Sequence, residues 1–241
     1  MTLRTALVTG GARRIGRAIV EDLARNGWAV AIHYRASHDD AEALASAIVS
    51  AGGKAAAVGG DLAVTSDLAR IVAGAARALG PLTLLVNNAS IFEKDTVGAL
   101  DAALWLRQLA VNLAAPVFLA EAFAQQLPDG EEGNVVNLID QRVFRPTPEY
   151  FSYQISKSGL LTATETLAKA LAPRVRVNGI APGPVLPSAH SSPEKFARHV
   201  AELPLKRQPD LPDFGRTVRY LVENRSITGQ VIALDGGQHL G

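Results

Sequence analysis

The chain has 241 residues, with 24 Lys and Arg against 23 Asp and Glu and 48% hydrophobic residues, which excludes a disordered chain and an electrostatic nucleic-acid surface. It has no cysteine, so disulfides, thiolate nucleophiles and cysteine-ligated zinc are excluded together, and the five histidines (His33, His38, His190, His199 and His239) show no spacing that suggests a metal. No uninterrupted apolar stretch approaches the ~18 residues of a membrane span and no signal-like segment opens the chain, so the expectation is one cytoplasmic domain over residues 1–241.

Short β-branched or Leu-rich runs alternate with longer amphipathic stretches, the pattern of βαβ units. The expected fold is α/β: a Rossmann-type, doubly wound, mostly parallel sheet of seven strands with helices on both faces. The first predicted strand, Thr5–Thr9, leads into Gly10-Gly11-Ala12-Arg13-Arg14-Ile15-Gly16 and a predicted helix over Gly16–Asn26. A glycine turn before a helix N-terminus lets the backbone close on a pyrophosphate. A strand over Trp28–Tyr34 runs into Arg35-Ala36-Ser37, with no acidic residue before Asp39. An NAD site places an acid near the adenine ribose and a 2′-phosphate needs arginine, so Arg35, Ser37 and Arg13, beside Tyr34, predict NADPH. A helix over Asp39–Ala51, a strand over Ala55–Gly59 ahead of Asp61-Leu62, and a helix over Ser66–Leu79 follow.

The fourth strand, Leu82–Asn87, precedes Asn88-Ala89-Ser90-Ile91-Phe92. A long helix over Asp101–Leu127 carries Asn112, and Pro116 should bend or interrupt it. A fifth strand, Asn134–Ile139, delivers Asp140, and a helix over Tyr153–Ala172 places Tyr153 and Lys157 four residues apart on one face. A fixed ammonium there favours the phenolate and would bring Tyr153 toward acid–base work near neutrality. Tyr150 has no lysine four residues on and is the weaker candidate. A sixth strand, Arg174–Ile180, runs into Pro182-Gly183 and a proline-rich segment, about 182–209, read as a substrate lid with one short helix at Glu194–Leu203. A helix over Pro212–Glu223 and a strand over Gln230–Leu234 complete the chain.

With the glycine turn, Asn87-Asn88-Ala89-Ser90, Asn112, Tyr153 and Lys157 in this order, nearly the whole chain resembles the short-chain dehydrogenase/reductases. The resemblance implies that Asp61-Leu62 and Pro182-Gly183 flank the adenine and nicotinamide, that Gly10, Arg13, Arg14, Ile15, Gly16, Asn88 and Ala89 line the cofactor, and that Lys157 orients the nicotinamide ribose and supports Tyr153. It gives Asn112 a part in holding open a backbone or water relay, and implies a homotetramer through the helices Asp101–Leu127 and Tyr153–Ala172.

That family normally has a serine thirteen residues before the tyrosine, where this chain has Asp140. A hydroxyl can donate to a developing alkoxide, whereas an ionised carboxylate only accepts and would repel that charge. Ordinary ketone reduction is therefore disfavoured, and C=N reduction fits. The chain is similar to the pteridine reductases and dihydromonapterin reductases, in which aspartate holds this position. That likeness implies NADPH-dependent hydride transfer to a pterin or folate-class ring, with protonation by Tyr153 and Asp140. It also implies that Phe92 stacks on the pterin, that Arg14 lies between phosphate and pterin, and that Ser90 touches cofactor or substrate. The alternatives are a carbonyl reductase, such as one acting on a 3-oxoacyl thioester, and an NADPH-binding sensor without chemistry.

Overall fold

A computed structural model describes residues 4–187 and 192–241. Residues 188–191 of the predicted lid, including His190, lie outside the described residues, as do residues 1–3. Seven strands, β1 (Thr5–Val8), β2 (Ala29–Tyr34), β3 (Lys54–Gly59), β4 (Leu84–Asn87), β5 (Gly133–Leu138), β6 (Val175–Pro182) and β7 (Val231–Leu234), form one sheet in the order β3-β2-β1-β4-β5-β6-β7. Every neighbouring pair is parallel.

The helices are α1 (Arg14–Arg25), α2 (His38–Ser50), α3 (Thr65–Leu79), α4 (Ala102–Leu109), α5 (Ala115–Gln126), α6 (Phe151–Ala170), α7 (Pro193–Glu202) and α8 (Leu211–Glu223). Alternation along the strands separates two cores. Ala6, Val8, Val30 and Ile32 pack with Ile19, Leu23, Phe214 and Val218 on one face. Leu7, Ala31 and Leu85 pack with Ile71, Val72, Leu119 and Phe123 on the other. Strands covered on both faces read as nearly continuous apolar runs, and the sequence has that pattern. Strand order reverses beside β1, so the crevice for a ligand opens at the carboxyl ends of β1 and β4.

Three local features refine the expected elements. The long helix breaks one turn before Pro116, in a π turn at Ala110–Ala114. Pro116 has no N–H for the carbonyl of Asn112, its i−4 partner, and the chain widens its turn there. The run Ala102–Gln126 is 25 residues long and apolar enough by composition to cross a membrane. It carries the buried polar residues Gln108 and Asn112 and packs Ala115, Leu119 and Phe123 against the sheet. Finally, β6 continues to Pro182, two residues beyond its predicted end, because Pro182 still pairs in register with Leu234.

Candidate active site

The glycine turn is built around Thr9. Its hydroxyl donates to the Val86 carbonyl at 3.3 Å and accepts from the backbone N–H groups of Asn88 (2.9 Å) and Ala89 (3.0 Å). The Asn88 amide returns bonds to the carbonyls of Thr9 and Gly10 at 2.9 and 3.1 Å. Gly10 sits at φ +60, and a Cβ on Gly16 would lie 2.3 Å from the Gly10 carbonyl oxygen and 2.5 Å from the Asn88 amide nitrogen. Glycine is therefore required at Gly16 by close packing of the turn on the loop after β4.

His33 fixes the turn from the other side. Its Nδ1 accepts from the Gly10 N–H at 3.2 Å, which leaves Nε2 to donate to the Gly60 carbonyl at 3.2 Å. Burial disfavours the imidazolium and lowers the pKa to about 4. Neither His33 nor Thr9 stood out in the sequence, since a neutral buried histidine and a strand-end threonine carry no motif.

Two cavities flank this turn. One, of about 350 Å³, is lined by Gly10, Arg13, Tyr34, Arg35, Ser37, Asp61, Leu62, Ala89 and Ser90. The other, of about 660 Å³, is lined by Arg14, Ile15, Asn88, Ser90, Phe92, Asp140, Tyr153, Lys157, Pro182 and Gly183 among others. Ser90 belongs to both walls. Of the predicted site residues only Gly16 and Asn112 line neither cavity, and both act from behind the wall.

In the larger cavity the Tyr153 hydroxyl donates to Asp140 Oδ2 at 2.8 Å, and Asp140 Oδ1 accepts from the Arg142 N–H at 2.8 Å. Lys157 Nζ donates to the Leu138 carbonyl at 2.7 Å and lies 5.8 Å from the Tyr153 ring centroid. Burial pushes the Asp140 carboxyl above its ordinary range, although the Arg142 N–H, the Tyr153 hydroxyl and the Arg142 and Lys157 charges pull it down. Burial, then the Asp140 charge, hold Tyr153 well above its ordinary value. Burial lowers Lys157 to about 8. The expected depression of Tyr153 by Lys157 is thus corrected: desolvation and the Asp140 carboxylate outweigh the lowering, which comes from Arg142 and the Ser90 hydroxyl.

Asn112 clamps the loop after β4. Its Oδ1 accepts from the Ile91 N–H (2.8 Å) and the Ser90 hydroxyl (3.1 Å), while Nδ2 donates to the Ile91 carbonyl (2.9 Å) and Ser156 Oγ (3.1 Å). The start of α6 is held likewise: the Ser152 N–H donates to Asp95 at 3.1 Å and Gln108 donates to Ser152 Oγ at 2.8 Å. An Asn87–Asn137–Thr164 chain of buried amides and hydroxyl ties β4 and β5 to the same helix.

Phe92 stacks on Tyr150, with centroids 4.2 Å apart and planes 8° apart, and meets Tyr153 edge-on at 4.7 Å. The Arg142 guanidinium lies 4.9 Å from the Tyr150 centroid and 5.4 Å from that of Phe92. Tyr150 takes the left-handed backbone at φ 56, which turns it into this wall immediately before α6. Arg142 and the wall role of Tyr150 were missed, because both arise from the path of a loop.

The short chain dehydrogenase family model matches residues 4–196. An uncharacterised oxidoreductase of Methylorubrum extorquens is 33% identical, over 97% of this chain and 97% of its own. A 3-oxoacyl-[acyl-carrier-protein] reductase of Staphylococcus epidermidis is 29% identical, over 98% and 99%. Among solved structures, FolM alternative dihydrofolate reductase 1 from Brucella canis, complexed with NADP, is 59% identical. Its TM-score is 0.97, with 99% of this chain and 94% of that one covered.

Proposed function

This chain is an oxidoreductase that belongs to the short-chain dehydrogenase family, and we propose that it reduces a dihydropterin or dihydrofolate-class ring with NADPH. The observation that carries the reading is the 2.8 Å hydrogen bond from Tyr153 to Asp140 inside a cavity walled by Phe92. The Brucella relative, a dihydrofolate reductase solved with NADP, supports the same substrate class and cofactor.

The two cavities fit a dinucleotide. They share Ser90 across the glycine turn, and the smaller one gathers Arg13 and Arg35 at the carboxyl ends of the strands. Arg13, Arg35 and Ser37 would hold the 2′-phosphate, and Tyr34, Asp61 and Leu62 the adenosine. Gly10, Ile15, Gly16, Asn88 and Ala89 would shape the passage for the phosphates, with Arg14 at its edge, and Lys157, Pro182 and Gly183 would hold the nicotinamide riboside. Bound there, NADPH supplies the hydride.

Tyr153 supplies the proton that a ring nitrogen takes as its C=N bond is reduced. Asp140 accepts the hydrogen bond from the phenol and can accept from substrate N–H groups, and as a carboxylate it does so more strongly than a serine hydroxyl. Phe92 offers a flat apolar surface for the heterocycle, and Asn112 holds the loop that carries Ser90 and Phe92. Exposed Leu106, Phe118 and Ile155 on α4, α5 and α6 support assembly as a homotetramer.

Reduction of a 3-oxoacyl thioester is the second reading, favoured by the Staphylococcus epidermidis relative and opposed by the charge of Asp140. The test is NADPH oxidation by the purified protein with dihydrobiopterin, dihydromonapterin, dihydrofolate and an acetoacetyl thioester in parallel, with NADH as cofactor control. Pterin-dependent turnover that prefers NADPH is expected. Turnover of the thioester alone overturns the substrate.

A further inference from the structure

We propose that the outer end of the 660 Å³ cavity is a subsite for a carboxylate-bearing tail on the substrate, held by Lys195 of α7 together with Arg142. This rests on the pterin reading and narrows it to reduced pterins with an anionic tail, as in dihydrofolate, over those with a neutral hydroxylated tail.

The cavity wall carries four basic side chains, Arg14, Arg142, Lys157 and Lys195, and two carboxylates, Asp140 and Glu149. Asp140 is engaged at the inner end by Tyr153 and the Arg142 N–H. Glu149, at the outer end, is hydrogen-bonded to Lys94 at 2.7 Å. Arg142 and Lys195 also bear on Glu149 electrostatically, and with Lys94 they lower its pKa. Neither of these two cations lies within ion-pair distance of a carboxylate among the described residues. Three cations thus converge on one carboxylate that Lys94 already occupies.

The placement of the two remaining cations suits a tail. The Arg142 guanidinium is steered by the Phe92 and Tyr150 rings, so it lies beside the wall proposed to stack on the heterocycle. Lys195 and His199 stand one turn apart on α7 and both face the cavity. His199 Nε2 is paired with Gln238 at 3.0 Å, and the Lys195 ammonium, in no ion pair among the described residues, is the group on this face of α7 that can answer an anion. Neutral tail hydroxyls would leave this positive field unanswered, whereas a carboxylate complements it and gains charge-assisted hydrogen bonds.

The experiment compares kcat/KM for dihydrofolate and dihydrobiopterin in wild type, K195Q and K195R. The ratio of dihydrofolate to dihydrobiopterin is expected to fall about fivefold in K195Q, to recover in K195R, and to fall with added salt in wild type. An unchanged ratio in K195Q, or equal loss in K195Q and K195R, overturns the subsite. If neither dihydropterin oxidises NADPH, the functional reading falls. Calorimetric binding of folate to the NADP⁺-loaded protein then decides the subsite: weaker binding in K195Q supports it, and equal binding overturns it.

Discussion

The Tyr153 hydroxyl points its proton at Asp140 Oδ2 across 2.8 Å, and both groups are held above their ordinary pKa values by burial. Proton affinity is therefore concentrated at one point of the cavity wall, with the phenol as donor and the carboxylate as acceptor. Tyr153→Phe is expected to lower kcat for a dihydropterin by about 10²- to 10⁴-fold. Asp140→Ser should lower it by about 10²-fold on the same basis. NADPH dissociation constants, measured by fluorescence titration, should change far less; near-normal turnover of Tyr153→Phe would assign proton delivery to another group, and near-normal turnover of Asp140→Ser would remove the case for a pterin over a carbonyl substrate.

Asn112 makes four hydrogen bonds that tie the π turn to Ser90, Ile91 and Ser156. Asn112→Ala leaves the Ile91 N–H and carbonyl without their side-chain partner, and should cost about 2–4 kcal/mol in denaturant unfolding. Hydrogen exchange at the Ile91 amide should accelerate more than exchange at core strand amides. Uniform acceleration would mean that Asn112 supports the whole fold and has no special hold on this loop.

His33 gives an acid-sensitive component of stability. Its folded-state pKa of about 4 lies below the ordinary 6.5, so between those values the unfolded chain binds a proton that the folded chain does not. The contribution is complete above pH 6.5 and is lost as pH falls toward 4, by up to about 3 kcal/mol. Urea unfolding of the cofactor-free protein at pH 7.0 and 4.5 should show this loss, and His33→Gln should reduce it. Equal acid sensitivity in the two proteins would place the effect in other groups.

Arg13 donates to Asp40 through Nε at 2.7 Å at the rim of the smaller cavity. If Arg13 serves the 2′-phosphate, Asp40 competes with that dianion for the same guanidinium. Asp40→Asn should then lower the KM for NADPH about two- to threefold, the scale of an exposed ion pair, with little change for NADH. A parallel shift for both cofactors would separate Asp40 from phosphate selection.

The strands and motif residues were legible because each rests on local chemistry. Apolar runs such as Ala6-Leu7-Val8 lie between two helical layers, and Gly10, Asp140 and Tyr153 stand where a strand or helix begins or ends. Less was legible where a role depends on distant chain. Ala110–Ala114 has ordinary helical composition, and only Pro116 hinted at a disturbance that falls one turn earlier. Arg142 and Tyr150 became visible once the loop after β5 brought them over Phe92. Lys157 misled in a different way: its spacing placed it beside Tyr153, but the spacing could not weigh burial against its charge.

The widened turn between α4 and α5 also sets a constraint on chain length. Each α-helical residue advances the direction of its side chain by about 100°, and a residue of a π turn, closed by i→i+5 bonds, advances it by less. The five residues Ala110–Ala114 therefore cover about the rotation of four α-helical ones, and Gln108, upstream, stays in phase with Leu119 and Phe123, downstream. The surplus residue is absorbed locally, in the turn that presents Asn112 to the loop carrying Ser90 and Ile91. Deleting one residue here would restore an ordinary helix and leave α4 and α5 seated, while shifting Asn112 away from its clasp, so such a deletion strikes the site and spares the fold.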